Sequence, residues 1–412
     1  MTKIISFSFF LLFLAFGCTK PKGKLQLSDT ELRQKANEIA HKYVIVDGHV
    51  DLPYRLKIKH FRLEKQFTGI PLKSAEGDFD FERAQKGGLS APMMSIYIPS
   101  KLDKTDEGFL LADSLINMVN WIADQNPNYF QVARNPAEIL AIKNAGKIAL
   151  PMGMENGSPM KKLEDIKYFK NKGISYVTLT HAKDNHICDS SYDTTKTWRG
   201  LSEYGEKFVL ELAQSGVMID VSHVSDDTFY DVVKLAPVPI IASHSSARHF
   251  TPDFQRNMSD DMIKEMGKKN GVIMVNFGST FLDEGVAKKR KENQAKIDKI
   301  LKEKGIKEED EAAKTVIADF LKTSPNAFAD VEMVADHIDR IVKLSSVNQV
   351  GFGSDFDGVG DSLPTGLKDV ADYPNLLYVL LKRGYSEADL AKMCSGNVFR
   401  VWNEVIEFAN KK

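Results

Sequence analysis

Short runs of apolar residues alternate along the chain with stretches whose apolar positions recur every three or four residues. The runs are rich in valine, isoleucine and methionine and are bounded by glycine, proline, aspartate or asparagine, which is typical of β-strands. Most of them lack strict polar–apolar alternation, as expected of strands that are buried on both faces. We predict strands at residues 43–47, 89–98, 148–154, 174–180, 217–221, 238–243, 272–277 and 349–354.

The stretches between these runs predict amphipathic helices. Helical periodicity is clear at residues 106–123, 163–170, 202–214, 225–235, 259–268 and 330–344. A connection between neighbouring parallel strands needs such a helix. Eight strands that alternate with helices therefore predict an α/β fold, a (β/α)8 TIM barrel formed as one domain by residues 30–412. A doubly wound parallel sheet is the alternative that this pattern leaves open.

Two further segments are predicted to decorate the barrel. Residues 283–314 are dense in lysine and glutamate, with opposite charges at i,i+4 spacing, which favours solvated helices inserted before strand 8. A binding role for that insertion is the alternative. Residues 386–408 begin with Ser386 and Glu387 and then show apolar periodicity, so we predict a C-terminal helix that packs on the outside of the barrel.

The N-terminus has the pattern of an export signal. Lys3 precedes an apolar run at 4–16, which is shorter than the about 20 residues that a membrane-spanning helix needs. Cys18 follows Gly17, and the pattern resembles a bacterial lipoprotein signal in which Cys18 is the lipidation site.

These features predict a signal peptide at 1–17 and a lipidated N-terminus with a polar tether at 18–29. The protein would then be exported and anchored to a bacterial membrane, in the periplasm or at the cell surface. An ordinary secretory signal with an incidental Cys18 is the alternative.

Composition and charge narrow the classes of function. Of the 412 residues, 43% are hydrophobic and 27% are charged, which is typical of an ordered globular protein. Lysine and arginine total 55 against 56 aspartates and glutamates, so we expect no nucleic-acid partner. The three cysteines form no CxxC pair, and the pairing of Cys188 with Cys394 is left open. A metal site would therefore rely on histidines and carboxylates.

Polar residues able to bind metals follow six of the predicted strands. The active site of a (β/α)8 barrel lies at the carboxyl ends of its strands, so side chains at these positions converge. They are His49 and Asp51 after the first strand and Glu155, His181, His223, His244 and Asp355 after the third, fourth, fifth, sixth and eighth. A single histidine at such a position would more often be a structural residue of the core than a metal ligand. Four of the nine histidines at one end of one barrel predict a metal site.

The number of ligands predicts two metal ions. A catalytic zinc that keeps a water has three protein ligands, so His49, Asp51, Glu155, His223 and His244 exceed one site. If the two oxygens of Glu155 bind different ions, His49 and Asp51 complete one site. His223 and His244 then complete the other. Two ions about 3.5 to 4 Å apart can hold a bridging hydroxide and polarise a carbonyl.

Motifs around these residues resemble those of one enzyme family. They are DGHVDLP at 47–53, GMENG at 153–157, LTH at 179–181, IDVSHVS at 219–225, SHSSAR at 243–248, RN at 256–257 and GSDFDGV at 353–359. Together they are similar to the membrane, or renal, dipeptidase family, the zinc dipeptidases of the amidohydrolase superfamily, over about residues 43–402. The resemblance implies a barrel with two zinc ions on the same five ligands, which hydrolyses dipeptides and tolerates a D-residue at the C-terminal position.

The resemblance also implies roles for three further residues. His181 matches the histidine that contacts the substrate carbonyl oxygen, and Arg256 matches the arginine that holds the substrate's terminal carboxylate. Asp355 matches the carboxylate that acts as base and then as acid. Their alternatives are a histidine behind the ligands, a surface arginine and a turn aspartate. We interpret Asp357, in the same loop as Asp355, as structural.

Some positions depart from the family pattern. Val50 stands where a polar residue is more frequent, and Asn156 stands where a glycine is common. Neither is a ligand, so they affect the expected fit of the substrate rather than metal binding. We interpret His186 and Cys188 as loop residues rather than as a third metal site.

The predicted function is that of a zinc-dependent dipeptidase. Its partners would be dipeptides, including L,D-dipeptides, and the membrane through the lipid anchor at Cys18. A related amidohydrolase that acts on another amide or a β-lactam is one alternative, and a non-catalytic lipoprotein that binds peptides is another. Because family members are often dimers, the resemblance allows a homodimer, which no apolar stripe in the sequence indicates.

Overall fold

The computed structural model of the protein describes residues 27–58, 72–308 and 310–411. The predicted signal peptide at 1–17, the lipidation site Cys18 and most of the tether lie outside the described residues. Within the described part of the chain, no helix combines the length and the apolar character that crossing a membrane requires.

Eight strands close into a parallel barrel in the order β1-β10-β9-β8-β7-β6-β5-β2. Together with two strands outside the barrel, β3 and β4, the strands of the described residues are β1 (Ile45–Val50), β2 (Leu89–Tyr97), β3 (Phe130–Val132), β4 (Ile148–Leu150), β5 (Met152–Glu155), β6 (Ile174–Thr178), β7 (Met218–Asp220), β8 (Ile241–Ala242), β9 (Val272–Val275) and β10 (Val350–Phe352). Because β1 pairs with both β2 and β10, the sheet closes on itself. The predicted (β/α)8 TIM barrel is confirmed, and the doubly wound sheet is wrong.

Helices surround the barrel. They are α1 (Asp29–Lys42), α2 (Leu52–Ile58), α3 (Phe81–Gly87), α4 (Glu107–Gln125), α5 (Pro136–Asn144), α6 (Leu163–Asn171), α7 (Glu203–Gln214), α8 (Asp226–Leu235), α9 (Asp260–Lys268), α10 (Ser279–Leu282), α11 (Glu284–Glu303), α12 (Glu311–Thr323), α13 (Val331–Leu344), α14 (Tyr373–Lys382), α15 (Glu387–Ala391) and α16 (Asn397–Asn410). The predicted helices correspond to α4, α6, α7, α8, α9 and α13. Several begin at capping side chains that accept backbone N–H groups, such as Ser225 before α8 and Ser259 before α9.

The third predicted strand is two strands in the structure. Pro151 separates β4 from β5, because proline has no N–H to donate to a continuing ladder. β4 pairs with β3 in a separate two-stranded sheet, whereas β5 joins the barrel between β2 and β6. The predicted run at 148–154 is therefore extended as expected, but it is not one barrel strand, and Glu155 ends β5 rather than following it.

The barrel strands are buried over nearly their whole length. Every residue of β1, β5, β6, β7, β9 and β10 is buried, which explains the continuous apolar runs in the sequence. The helices cover the outer face of the sheet, and side chains fill its interior.

The charged insertion forms a pair of helices between β9 and β10, as predicted. α11 and α12 enclose a small apolar cluster of their own, with Ile297, Leu301 and Ala313 buried at its centre. The helical excursion continues to Thr323, beyond the predicted limit at 314.

The C-terminal segment is helical but is not one regular helix. A π-helical turn, Lys392–Gly396, separates α15 from α16. The side-chain amide of Asn397 donates to the carbonyls of Val347 and Val350, both at 2.8 Å, at the amino end of β10. The segment packs on the barrel as predicted, at the end opposite to the strand termini that carry the candidate site.

Candidate active site

The carboxyl ends of the barrel strands bring the predicted site residues together. They are His49 in β1, Asp51 directly after it, Glu155 at the end of β5, and His181, His223, His244 and Asp355 in the loops after β6, β7, β8 and β10. All are buried except His181, whose side chain is 21% exposed. Six of these seven, with His49 lying deeper, line a cavity of about 620 Å³. The convergence that strand-end reasoning predicts is present.

Glu155 lies at the centre of this group, and its two carboxylate oxygens face different residues. Oε2 lies 3.3 Å from Nε2 of His49. The same nitrogen of His49 lies 3.3 Å from Oδ2 of Asp51. Oε1 lies 3.1 Å from Nε2 of His223 and 3.3 Å from Nε2 of His244. Each oxygen of Glu155 therefore faces a separate set of potential ligand atoms.

Other groupings of ligand atoms overlap this division. Atoms within 4.8 Å of one another form the triads His49–Glu155–His244, Glu155–His181–His223 and His49–Asp51–Asp355. Because every triad shares His49 or Glu155 with another, the residues form one contiguous centre. The distances between individual atoms divide the centre more specifically, because His49 lies at Oε2 of Glu155, whereas His223 and His244 lie at Oε1.

Several buried polar atoms at this centre have no hydrogen-bond partner among the described residues. They include Nε2 of His49 and Oδ1 of Asp51. The Nε2 atoms of His223 and His244 approach each other to 2.8 Å. Buried polar atoms are normally paired, and imidazole with carboxylate is a ligand set that zinc uses. The residues present therefore fit divalent metal ions.

Burial and neighbouring charges shift the pKa values of these groups. Burial lowers the pKa of His223 and of His244 well below the usual value, so both rings are neutral. Burial alone would raise the pKa of Glu155, but the histidines around it, His49 first, hold it well below its usual range. A neutral imidazole and an ionised carboxylate are the forms that bind metals.

Asp355 combines an unusual backbone with a shifted pKa. Burial, with added repulsion from the carboxylates of Asp51 and Glu155, raises the pKa of Asp355 to about 7. Its Oδ2 accepts a hydrogen bond of 2.8 Å from the amide of Asn276. Its φ of 64° lies in the left-handed region, which non-glycine residues rarely adopt outside functional sites and turns. A carboxyl group that titrates near neutrality can both accept and release a proton.

Asn156 also has a left-handed backbone, with φ of 77°. This conformation explains why glycine suits the position and why asparagine can replace it, since asparagine tolerates positive φ better than other side chains. Its amide donates to the carbonyl of Ile98 at 3.0 Å and to Oδ1 of Asp103 at 2.8 Å. The side chain thus ties the loop after β5 to the end of β2.

His181 and Arg256 occupy different surroundings. His181 faces the cavity, with Nε2 3.6 Å from Oε1 of Glu155, and burial lowers its pKa. Arg256 is buried and does not line the cavity: its guanidinium donates to Ser245 Oγ at 2.7 Å and to the carbonyl of His244 at 2.8 Å. The surface-arginine alternative is wrong, and the substrate-binding role of Arg256 stays a prediction.

Sequence reasoning missed residues at the ends of two barrel strands. Tyr97 ends β2, lines the cavity and packs edge-on against His181 with ring centroids 4.8 Å apart. Asn276 directly follows β9 and binds Asp355. Both residues lie inside the predicted strands 89–98 and 272–277, and their polar side chains near the ends of these runs are the signal that could have indicated them. Tyr192, in the long loop after β6, also lines the cavity but has no such signal.

The remaining interpretations concern loop residues. The side chain of Asp357 is buried and bound to Nε of Arg55 at 3.0 Å and to the backbone N–H of Asp78 at 2.6 Å, in keeping with a structural role. His186 contacts the carbonyl of Met160 and belongs to none of the ligand groups found in the described residues. Cys188 and Cys394 are both buried and free, so they do not pair.

The membrane dipeptidase family, peptidase family M19, matches residues 33–412. The chain belongs to this family. Membership confirms the resemblance stated from the motifs and makes the protein a metallo-dipeptidase.

Solved structures agree with the family assignment. The probable dipeptidase PvdM of Pseudomonas aeruginosa is 25% identical, with a TM-score of 0.77 over 92% of this chain and 100% of its own. A metallopeptidase from Rhodobacter sphaeroides, liganded with a phosphinate mimic of the dipeptide L-Ala-D-Ala, is 22% identical, with a TM-score of 0.70 over 88% of this chain and 99% of its own. The dipeptidase AC, a metallopeptidase of the same family, is also 22% identical, with a TM-score of 0.71 over 88% and 98% of the two chains. The membrane dipeptidase fold therefore extends over almost the whole described chain.

Proposed function

We propose that this membrane dipeptidase binds two zinc ions and hydrolyses dipeptides, L,D-dipeptides among them. The observation that carries the proposal is the position of Glu155, whose two oxygens face two separate sets of ligand atoms. His49 and Asp51 would complete the site on the Oε2 side. His223 and His244 would complete the site on the Oε1 side. When bound, the two ions would polarise the scissile carbonyl and lower the pKa of water.

Residues of the protein would accept the proton of the attacking water and return it to the departing nitrogen. As the oxygen of the attacking water adds to the carbonyl carbon, Asp355 accepts the water proton. Asp355 then returns that proton to the departing nitrogen as the C–N bond breaks, which leaves a free carboxylic acid and a free amine. The pKa of Asp355, raised to about 7 by burial, suits a group that takes both roles. His181, which faces the cavity, would donate a hydrogen bond to the carbonyl oxygen as negative charge develops there.

The cavity supports a small substrate. Its volume of about 620 Å³ is in the range of sites for small molecules, and Tyr54, Tyr97 and Tyr192 form part of its wall. The dipeptide mimic in the Rhodobacter sphaeroides structure supports an L,D-dipeptide as substrate. Arg256 would attract the terminal carboxylate through its charge. Its two terminal nitrogens donate to Ser245 and to the carbonyl of His244, whereas its Nε has no hydrogen-bond partner among the described residues.

The first test is a panel of L,L- and L,D-dipeptides, with free amino acids measured after incubation with zinc-loaded protein of residues 19–412. We expect two zinc ions per chain by elemental analysis, and amino-acid release that a chelator abolishes. A chelated sample restored with zinc is the control for irreversible damage. No release from any dipeptide with two zinc ions bound would contradict the proposal, and hydrolysis of another amide or a β-lactam would then favour the amidohydrolase alternative.

We also propose that the protein is exported and anchored to a bacterial membrane by a lipid on Cys18. The signal pattern of residues 1–17 supports export. The first helix, α1, begins at Asp29 with Ser28 as its cap, so the folded domain starts about ten residues after Cys18. Such a short link would hold the barrel close to the membrane surface. A homodimer stays a prediction that analytical ultracentrifugation can check.

A further inference from the structure

Two buried hydroxyl groups contact the imidazole nitrogens that face away from Glu155. The Tyr176 hydroxyl lies 3.0 Å from Nδ1 of His49, and the Ser243 hydroxyl lies 2.7 Å from Nδ1 of His244. In both histidines the other nitrogen, Nε2, lies 3.3 Å from an oxygen of Glu155. In a neutral imidazole only one nitrogen carries the proton, so a hydroxyl that accepts from Nδ1 leaves the Nε2 lone pair free for a metal.

The direction of the Tyr176 hydrogen bond follows from its second partner. The hydroxyl lies 3.0 Å from the carbonyl oxygen of Gly48, and a carbonyl can only accept. The single phenol proton is therefore donated to Gly48. The phenol oxygen must then accept from Nδ1–H of His49, which leaves Nε2 of His49 unprotonated in the neutral ring.

The direction of the Ser243 hydrogen bond is set by a buried carboxylate. Oδ2 of Asp220 accepts from the Ser243 hydroxyl at 2.6 Å and from the Thr178 hydroxyl at 2.5 Å. Oδ1 of Asp220 accepts from the backbone N–H groups of Ser222 at 3.0 Å and of Ser243 at 2.8 Å. Because the Ser243 hydroxyl donates its proton to Asp220, the Ser243 oxygen accepts from Nδ1–H of His244.

We propose that Tyr176 and Ser243 are positioning residues that fix the tautomers of His49 and His244, with one hydroxyl serving each metal ion. This inference rests on the proposed division of ligands between two ions. His223 has no equivalent, because its Nδ1 has no hydrogen-bond partner among the described residues. The arrangement thus orients one histidine on each side of Glu155.

A glycine of the GMENG motif makes room for this arrangement. A Cβ atom at Gly153 would lie 2.0 Å from Cζ of Tyr176, so the phenol ring packs directly on the backbone of β5. Gly153 is two residues before Glu155. The same short strand therefore supplies the central carboxylate and the space through which Tyr176 reaches His49 from β6.

The test measures zinc affinity in metal-free full-length protein by competition with a chromogenic chelator. We expect Tyr176→Phe and Ser243→Ala each to weaken binding of one zinc ion by about 10- to 100-fold, a usual effect of removing a hydrogen-bond partner of a ligand. The other zinc ion should bind with nearly wild-type affinity. Ser243→Thr, which keeps the hydroxyl, should restore binding.

Matched controls separate this role from a loss of folding. Tyr204→Phe removes a tyrosine hydroxyl that donates to the carbonyl of Met160, and Ser175→Ala removes a buried serine hydroxyl that donates to the carbonyl of Gly173. Both should leave zinc affinity unchanged. The melting temperatures of the metal-free variants should match those of their controls.

Each outcome decides a different question. Wild-type zinc affinity in both Tyr176→Phe and Ser243→Ala, or a loss that the controls reproduce, would overturn the inference. If the wild-type protein bound only one zinc ion, the proposed two-zinc function would fail. A weakened affinity for that single ion in one of the two variants would still support the positioning role of its hydroxyl.

Discussion

The buried carboxylate of Asp47 holds two parts of the site in place. Its Oδ1 accepts backbone N–H groups from His49 at 3.1 Å and from Ser354 at 2.9 Å. Its Oδ2 accepts from the hydroxyls of Ser354 and Tyr373. One residue thus ties the ligand-bearing end of β1 to the loop that carries Asp355. The aspartate of the DGH motif therefore has a clear structural function, although it does not face the cavity.

At the same scale, replacing Asp355 by asparagine should separate metal binding from catalysis. Asparagine tolerates the left-handed backbone at this position and has a similar shape, so the proposed zinc ions should be retained. Loss of the group that accepts and returns the proton should lower turnover by about 10²- to 10⁴-fold. Elemental analysis and steady-state hydrolysis of the best dipeptide measure the two effects.

Asp361→Asn is the matched control, because Asp361 is an exposed carboxylate in the same loop. It should keep wild-type turnover. Wild-type rates in Asp355→Asn would remove Asp355 from its proposed role. Loss of zinc together with activity would instead indicate that Asp355 contributes to metal binding.

At the scale of elements, His337 joins three segments that meet behind the site. It lies buried on α13, where its Nδ1 accepts the backbone N–H of Ala247, after β8, at 2.9 Å. Its Nε2–H donates to the carbonyl of Leu282, at the end of α10, also at 2.9 Å. If Nδ1 were protonated, two N–H groups would face each other and the hydrogen bond from Ala247 would be lost. The neutral ring therefore holds α10 and the loop after β8 against α13.

This arrangement predicts a pH-dependent stability. Burial lowers the pKa of His337 from its ordinary 6.5 to about 4, so the folded state binds this proton less readily than the unfolded chain. The contribution of the neutral ring is complete above pH 6.5 and is lost as the pH falls towards 4. It amounts to about 3 kcal/mol in the free energy of unfolding.

Denaturant unfolding of metal-free protein between pH 8 and pH 4.5 measures this contribution. The His337→Gln variant should be less stable than wild type near neutrality, because two buried hydrogen bonds are disturbed. The gap in unfolding free energy should narrow as the pH falls and stay constant between pH 7 and pH 8. A gap that is independent of pH over the whole range would refute the assignment.

Local sequence patterns are enough to predict most of the strands and helices, but not all of them. The barrel strands and the six predicted helices follow from local periodicity and from capping residues, which depend on neighbours in the chain. Pro151 marks the break in the third strand, but the separate pairing of β4 depends on β3, which is too short to give a pattern of its own. Its pairing with β4 comes from residues far apart in the sequence. The π-helical turn at Lys392–Gly396 likewise has no local signature.

At the scale of the whole molecule, the two ends of the barrel carry different parts of the structure. The carboxyl ends of the strands carry the site, whereas the π-helical turn and α16 pack at the amino ends, where Trp402 is fully buried. This division is typical of (β/α)8 enzymes. The candidate site and the packing of the C-terminal helices therefore occupy opposite ends of the barrel.

The intact chain should partition with membranes through Cys18. In a Cys18→Ser variant the proposed acylation site is missing, so the protein should no longer incorporate radiolabelled fatty acid and should leave the membrane fraction. Dipeptidase activity per molecule should be unchanged, because the folded domain begins only at α1. Fractionation of cells with activity assays in each fraction measures both. Equal membrane association of the wild-type and Cys18→Ser proteins would exclude the lipid anchor.

The sequence by itself determined the number and order of the barrel strands and the histidines and carboxylates at their carboxyl ends. That was possible because strand periodicity is local and because the fold collects strand termini at one end. Only the tertiary structure decided which neighbours those residues have. It placed the Tyr176 hydroxyl on His49, buried Arg256 behind His244, and kept Cys188 apart from Cys394. These contacts join positions far apart in the chain, and their side-chain geometry is fixed by packing rather than by sequence spacing.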